Sequence, residues 1–293
     1  MHLSRRESAG ASSIVRHAVG ADRSALSPAD MGWTRMLLAA TMIGLGVIGF
    51  IYGDVALVWQ RIPIENLPGR QLVAYACAAI ELATGIGVLI DPARRVAALV
   101  LTAFLLLWVV LLKLPAVVAM PSMEATWLGF GEIAVIFAGT WAVYAVEAGA
   151  DDGVLGAIAG ANGIRWARLV FALSLPMIGL SHFFYSEQTA AFVPAWIPYK
   201  IDWAYLTGAG SIVASVALLL GLLPRLAATL EAAMLSVITL LVWGPGLTKS
   251  PPDRTQWTAF FISLAIAAGA WVIASTYRRL SWFSLRPLKT RRD

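Results

Sequence analysis

The sequence predicts an all-α, polytopic membrane protein, with eight transmembrane helices arranged as two parallel-repeat four-helix bundles. Three observations carry that expectation. Hydrophobic residues make up 59% of the 293 residues and charged residues only 13%, and the mean hydropathy is +0.75. Soluble domains are roughly 45–50% apolar and about 25% charged. The apolar residues fall into eight runs, each near the roughly 20 residues a helix needs to cross a bilayer. The chain also aligns with itself over four of those runs.

Residues 1–32 are polar and rich in Arg and Ser. They contain no apolar run of the kind a signal peptide needs, so they read as a disordered cytoplasmic tail. A transit-like segment and translation from Met31 are the alternatives. The first bundle, residues 33–147, holds spans at 33–53, 71–90, 96–114 and 126–147. A Gly- and Ala-rich linker, 148–164, carries Asp151 and Asp152. The second bundle, 165–277, holds spans at 166–186, 203–223, 226–243 and 255–277. Residues 278–293 form a basic cytoplasmic tail. Lipid offers no hydrogen bonds to the backbone, so such runs must be helices. They do not alternate as barrel strands would.

Basic residues orient the spans. With eight crossings both ends lie on one side. That side takes sixteen of the 22 Lys and Arg residues, among them Arg35, Arg94, Arg95, Arg165, Arg168, Arg225, Arg278 and Arg279. The other takes Arg61, Arg70, Lys113, Lys200, Lys249 and Arg254. Both termini are therefore predicted to be cytoplasmic, in a plasma membrane of bacterial type. The net charge of +5 then reflects topology and lipid headgroups, and nucleic acid is not an expected partner. Arg35 and Arg168 are expected to snorkel to phosphates.

The internal match is carried by informative residues. At an offset of 133, Trp33 meets Trp166, Arg35 meets Arg168, and Phe50 meets Phe183. After the first loop the offset becomes 130. Tyr75 then meets Tyr205, Arg95 meets Arg225, Pro115 meets Pro245, and Trp127, Gly139 and Trp141 meet Trp257, Gly269 and Trp271. Four spans per unit is an even number, so both units share one orientation. Gly-rich spans such as 33–53 suit close helix packing, which also explains the Gly44, Gly46, Gly49 string.

Ionisable residues inside spans are costly and are candidates for function. Glu81, Glu132 and Glu231 are the candidate proton-binding or polar intramembrane groups. Their aligned positions, Ser211, Ile262 and Leu101, are not acidic. His182 lies near the outer end of its span, and an imidazole there can carry a proton or bond a quinone carbonyl. Tyr185, Pro194, Trp196, Pro198, Trp203 and Tyr205 surround it in sequence as a rigid aromatic outer loop. That loop reads either as an interfacial belt or as the wall of a ligand pocket. His2 and His17 lie in the tail, so no bis-His haem site forms, and no metal-ligand spacing is present. A lone Cys77 excludes a Cys-x-x-Cys relay and reads as a small hydrophobe.

The stretch Gly179-Leu-Ser-His182-Phe183, then Pro194-Ala-Trp196-Ile-Pro198, then Trp203-Ala-Tyr205, resembles the DoxX-like membrane proteins. With the duplicated four-span unit, the resemblance covers about residues 33–277. It implies a redox or quinone context, because the family includes subunits associated with quinol oxidase and thiosulfate:quinone oxidoreductase activity. The match is uneven. Gly49 stands at the position of His182, and the first unit reads Trp59-Gln-Arg61-Ile-Pro63 where a Pro-x-Trp-x-Pro loop would be.

The expected function is an accessory, non-catalytic membrane subunit of a quinone-linked system, binding a quinone or lipid at the outer interface. No catalytic residue and no resident cofactor motif is found, so an intrinsic enzyme is not expected; a quinone is the one cofactor the resemblance allows. Expected partners are the bilayer and a membrane or soluble oxidoreductase. The alternatives are a small-solute permease using Glu81 and a structural or assembly protein without ligand.

Overall fold

The structure, a computed structural model, describes residues 26–55, 69–150, 153–248 and 253–285. Among them the chain is helical without a strand, and eight helices are long and apolar enough to cross a membrane. They are α1 (Pro28–Tyr52), α2 (Arg70–Leu89), α3 (Arg94–Ala119), α4 (Glu124–Ala148), α5 (Gly160–Phe184), α6 (Lys200–Leu220), α7 (Pro224–Thr248) and α8 (Arg254–Thr276). A short helix, Ser186–Phe192, follows α5. Most of the expected tails, residues 1–25 and 286–293, and much of the α1–α2 loop lie outside the described residues.

Some boundaries differ from expectation. α5 begins at Gly160, inside the predicted linker, which shortens the connection from α4. Gly160 has φ +53, and a β-carbon there would lie 2.5 Å from the carbonyl oxygen of Gly149, so the chain returns close upon itself. α3 and α7 run past the predicted ends at 114 and 243 to Ala119 and Thr248, and each contains a five-residue π segment, Val109–Lys113 and Thr239–Trp243. Proline has no N–H, and its ring clashes with the carbonyl four residues back. Pro115 and Pro245 place that clash on Leu111 and Leu241, at the centre of each π segment, so the wider turn relieves it.

Each helix packs on its neighbours in sequence, and α8 returns to pack on α1 and close a ring. α4 and α8 cross through the middle and are the most deeply buried spans. Both are apolar all round, as helices without a lipid or water face should be. Two glycines make the crossing possible. A β-carbon on Gly139 would lie 2.5 Å from the Cα of Gly269, so the backbones touch without intervening side chains. Beside this crossing, Trp33 of α1 meets Trp271 of α8 edge to face at 5.0 Å.

Pro176 lies inside α5 and leaves the carbonyl of Ala172 without a helical donor. Ser215 of α6 supplies one, its Oγ donating to that oxygen at 2.6 Å. In a membrane such repair comes from a neighbouring helix because no water is at hand.

On the side expected to be cytoplasmic, the arginines turn to protein groups. Arg35 Nη1 donates to Glu147 Oε1 at 3.0 Å, and Arg94 Nη1 lies 3.6 Å from Glu147 Oε2. Arg168 donates to Thr276 and stacks over Tyr277, its guanidinium carbon 4.0 Å from the ring centre. The snorkelling expected of Arg35 and Arg168 is thus replaced by buried pairing between helices. Arg279 bonds Asp30 at 2.7 Å, and Arg225 sits 4.0 Å over Trp282, so the segment after α8 is strapped across the helix ends.

Candidate functional site

His182 occupies the last turn of α5 and is half-buried against α6. Its Nδ1 lies 2.8 Å from Thr207 Oγ1 and 3.3 Å from the carbonyl oxygen of Ala204. A carbonyl only accepts, and the single Thr207 hydroxyl proton is already directed to the backbone of Trp203 or Ala204. Nδ1 therefore carries the hydrogen, which in the neutral ring leaves Nε2 with the lone pair and without a hydrogen-bond partner among the described residues. Gly208 makes the approach possible, since a β-carbon there would lie 2.8 Å from His182 Cβ.

The sequence-predicted companions of His182 divide into two groups. Tyr205 stacks on Phe183 at 5.5 Å, and the Thr207 hydroxyl ties the backbone of Trp203 to the imidazole. Tyr185 is engaged elsewhere: its hydroxyl accepts from the Ala125 N–H at 3.2 Å and pins α5 to the start of α4. Pro194 and Pro198 flank a surface turn in which the carbonyl of Pro194 accepts from the Ile197 N–H at 3.0 Å. Trp196 is 75% exposed, so it belongs to the outer surface rather than to a closed wall. Trp203 is half exposed.

The three acids sit in three different settings. Glu81 is buried and lines a cavity of about 10 Å³ with Gly49, Asp54, Arg254 and Thr258, room for about one water. Glu132 lies on α4 within electrostatic reach of Lys113. Glu231 is 2% exposed and accepts a hydrogen bond at 2.8 Å from Ser211 Oγ. Ser211 is the residue that the sequence offset pairs with Glu81.

Two polar features were not singled out from sequence. Asp54, just after α1, receives both Arg70 Nε at 3.0 Å and Arg70 Nη2 at 3.1 Å. Arg254 Nη1 joins it at 3.0 Å. Burial alone would raise the Asp54 carboxyl, but the hydrogen bonds from Arg70 and Arg254 outweigh it and hold the group below the usual carboxylate range. At the offset of 133 Asp54 aligns with Glu187, acid on acid, which is the sign of it that the sequence carries. The second feature is Glu124 at the start of α4, 8% exposed with neither carboxyl oxygen hydrogen-bonded among the described residues. Nothing in its spacing marked it. Among the described residues, no group of three His, Cys, Asp or Glu is arranged to hold a metal ion.

Residues 163–244 match the DoxX family model. Neither a curated protein nor a solved structure matches the chain. The matched segment runs from the first turn of α5 into α7 and contains His182, the outer aromatic loop and Glu231. The chain is an integral membrane protein whose segment 163–244 is similar to the DoxX domain.

Proposed function

We propose that the protein is an accessory, non-catalytic component of a quinone-linked membrane redox system. In this reading it consists of two DoxX-like four-span units, 33–147 and 165–277, joined by the linker 148–164. Both termini are cytoplasmic, and the membrane is a bacterial plasma membrane. Support for the duplication comes from paired features: the π segments lie 130 residues apart, and the ring stack of Phe50 with Tyr75, at 5.8 Å, has its counterpart in Phe183 with Tyr205.

The observation that carries the ligand assignment is the state of His182. Its Nδ1 is committed to α6 and its Nε2 is not. A neutral imidazole in this tautomer accepts the hydroxyl hydrogen of a quinol, and the imidazolium donates to a quinone carbonyl. A quinone headgroup bound at Nε2 would supply the two-electron chemistry. The chain's own part is to orient that headgroup. The permease alternative rests on Glu81, which lines a cavity of only about 10 Å³, room for about one water and not for a solute.

The test is a titration of the full-length protein in nanodiscs with a short-chain benzoquinone, followed by tryptophan fluorescence. Saturable quenching is expected, with affinity about tenfold weaker in His182→Ala, the worth of one hydrogen bond. Unsaturable quenching, or equal affinity in the variant, would refute the assignment.

A further inference from the structure

A groove of about 280 Å³ lies between α6 and α7, toward the Leu220 end of α6 and away from His182. It runs along α7 from Leu223 to Met234, about 17 Å at the helical rise of 1.5 Å per residue. Gly210, Ala214 and Ala217 form its α6 side, and its lining is apolar except for Glu231. Glu231 Oε1 accepts from Ser211, and Oε2 has no hydrogen-bond partner among the described residues.

The offset of 130 shows what this groove replaces. Gly210, Glu231 and Met234 stand where the first half has Ile80, Leu101 and Phe104. Leu101 and Phe104 are 1% and 7% exposed, and Ile80 packs on the same core. At these three positions the side chains that fill the α2–α3 contact are replaced by a glycine, an acid and a flexible methionine, although Val213, Leu226 and Leu230 are larger than their counterparts Ala83, Val96 and Val100. A stability-driven core does not acquire a carboxyl with an uncommitted oxygen, because such a group is costly in apolar surroundings.

We propose that the α6–α7 groove binds a neutral, lipid-soluble molecule that presents a hydroxyl group to Glu231. The chemistry follows from the wall. A hydroxyl complements either form of the acid, donating to a carboxylate or accepting from a carboxylic acid. An ammonium brings three donors to a single acceptor and leaves the others buried and unpaired. A bare alkane leaves Oε2 as it is. The groove is therefore a site distinct from His182, and the two stand or fall separately.

Photolabelling of the full-length protein in nanodiscs tests this, using a diazirine-bearing 1-alkanol of about ten carbons and the matching amine and alkane. Mass spectrometry locates the adducts. The alkanol is expected to label the 210–234 segment at least fivefold more than either comparator. The graft Gly210→Ile, Glu231→Leu, Met234→Phe installs residues that the first half already packs and is expected to abolish that excess. Glu231→Leu alone keeps the groove and is expected to erase the preference of alkanol over alkane. Equal labelling by all three probes, preference for the amine, or an alkanol preference that survives Glu231→Leu would overturn the proposal.

Discussion

Replacing Gly139 by alanine places a methyl carbon 2.5 Å from the Cα of Gly269, 3.1 Å from its carbonyl oxygen and 3.2 Å from its carbonyl carbon. Carbon atoms rest about 3.5–4.0 Å apart, so α4 and α8 must part by about 1 Å or more. α4 is also packed closely on α5, where a β-carbon at Gly131 would lie 2.9 Å from Met177 Cβ, so parting from α8 disturbs a second close contact. Overpacking of this kind costs roughly 1–3 kcal/mol, and in lipid the lost contact has no hydrophobic compensation. A loss of about 2 kcal/mol is therefore expected, a factor of about 30 in the folding equilibrium. Reversible unfolding in mixed micelles, followed by tryptophan fluorescence, reads it directly. Gly32→Ala is the matched control, since nothing lies within 4 Å of that position, and it is expected to be neutral or stabilising by up to about 1 kcal/mol. Once one methyl has separated the helices, a second at Gly269 adds less than its own cost. If Gly139→Ala unfolds within about 0.5 kcal/mol of the parent protein, the central crossing is not as close as described.

Three further predictions concern polar groups. Ser215→Ala strands the carbonyl of Ala172 beside Pro176 and is expected to cost about 1–3 kcal/mol, whereas the same change combined with Pro176→Ala restores the helical donor and recovers most of it. Glu147→Gln leaves Arg35 and Arg94 facing each other in a site where both side chains are about nine-tenths buried; a loss of about 3 kcal/mol in the same unfolding assay is expected. Asp54 has a carboxyl held below its ordinary value of 3.8, so its contribution is fully present above that pH and lost as pH falls through the lower folded value. Asp54→Asn should therefore flatten the acid limb of a stability–pH profile, and an unchanged limb would show that the Arg70–Arg254 clamp does not hold the loop.

The spans were legible because lipid demands long apolar helices, and that demand is written directly into composition. The π segments were legible in principle: Pro115 and Pro245 mark them, but proline in an apolar run reads first as a helix end. The acids were harder. Position by position Glu81 and Glu231 share nothing, since one stands on α2 and the other on α7. Only the packing of α7 on α6 brings Glu231 to Ser211, a contact between residues 20 positions apart that neither position announces. The arginines misled for a related reason. A sequence shows that Arg35 sits at a membrane edge, but its partner Glu147 is 112 residues away. Of the outer aromatic set, the stacked rings of Phe183 and Tyr205 follow from the motif, whereas the outward exposure of Trp196 depends on how the turn after Val193 is folded.

The return of α8 to α1 has a consequence for biogenesis. As the chain leaves the ribosome, α1 can pair with α2 at once, but its other flank stays open until the last helix has been inserted. α4 waits likewise, with its glycine face uncovered through the synthesis of α5, α6 and α7. The final 23 residues of the membrane region, Arg254–Thr276, thus cover both α1 and α4 in one step, and a nascent chain stopped before Arg254 exposes two unfinished surfaces to the quality-control proteases of the membrane.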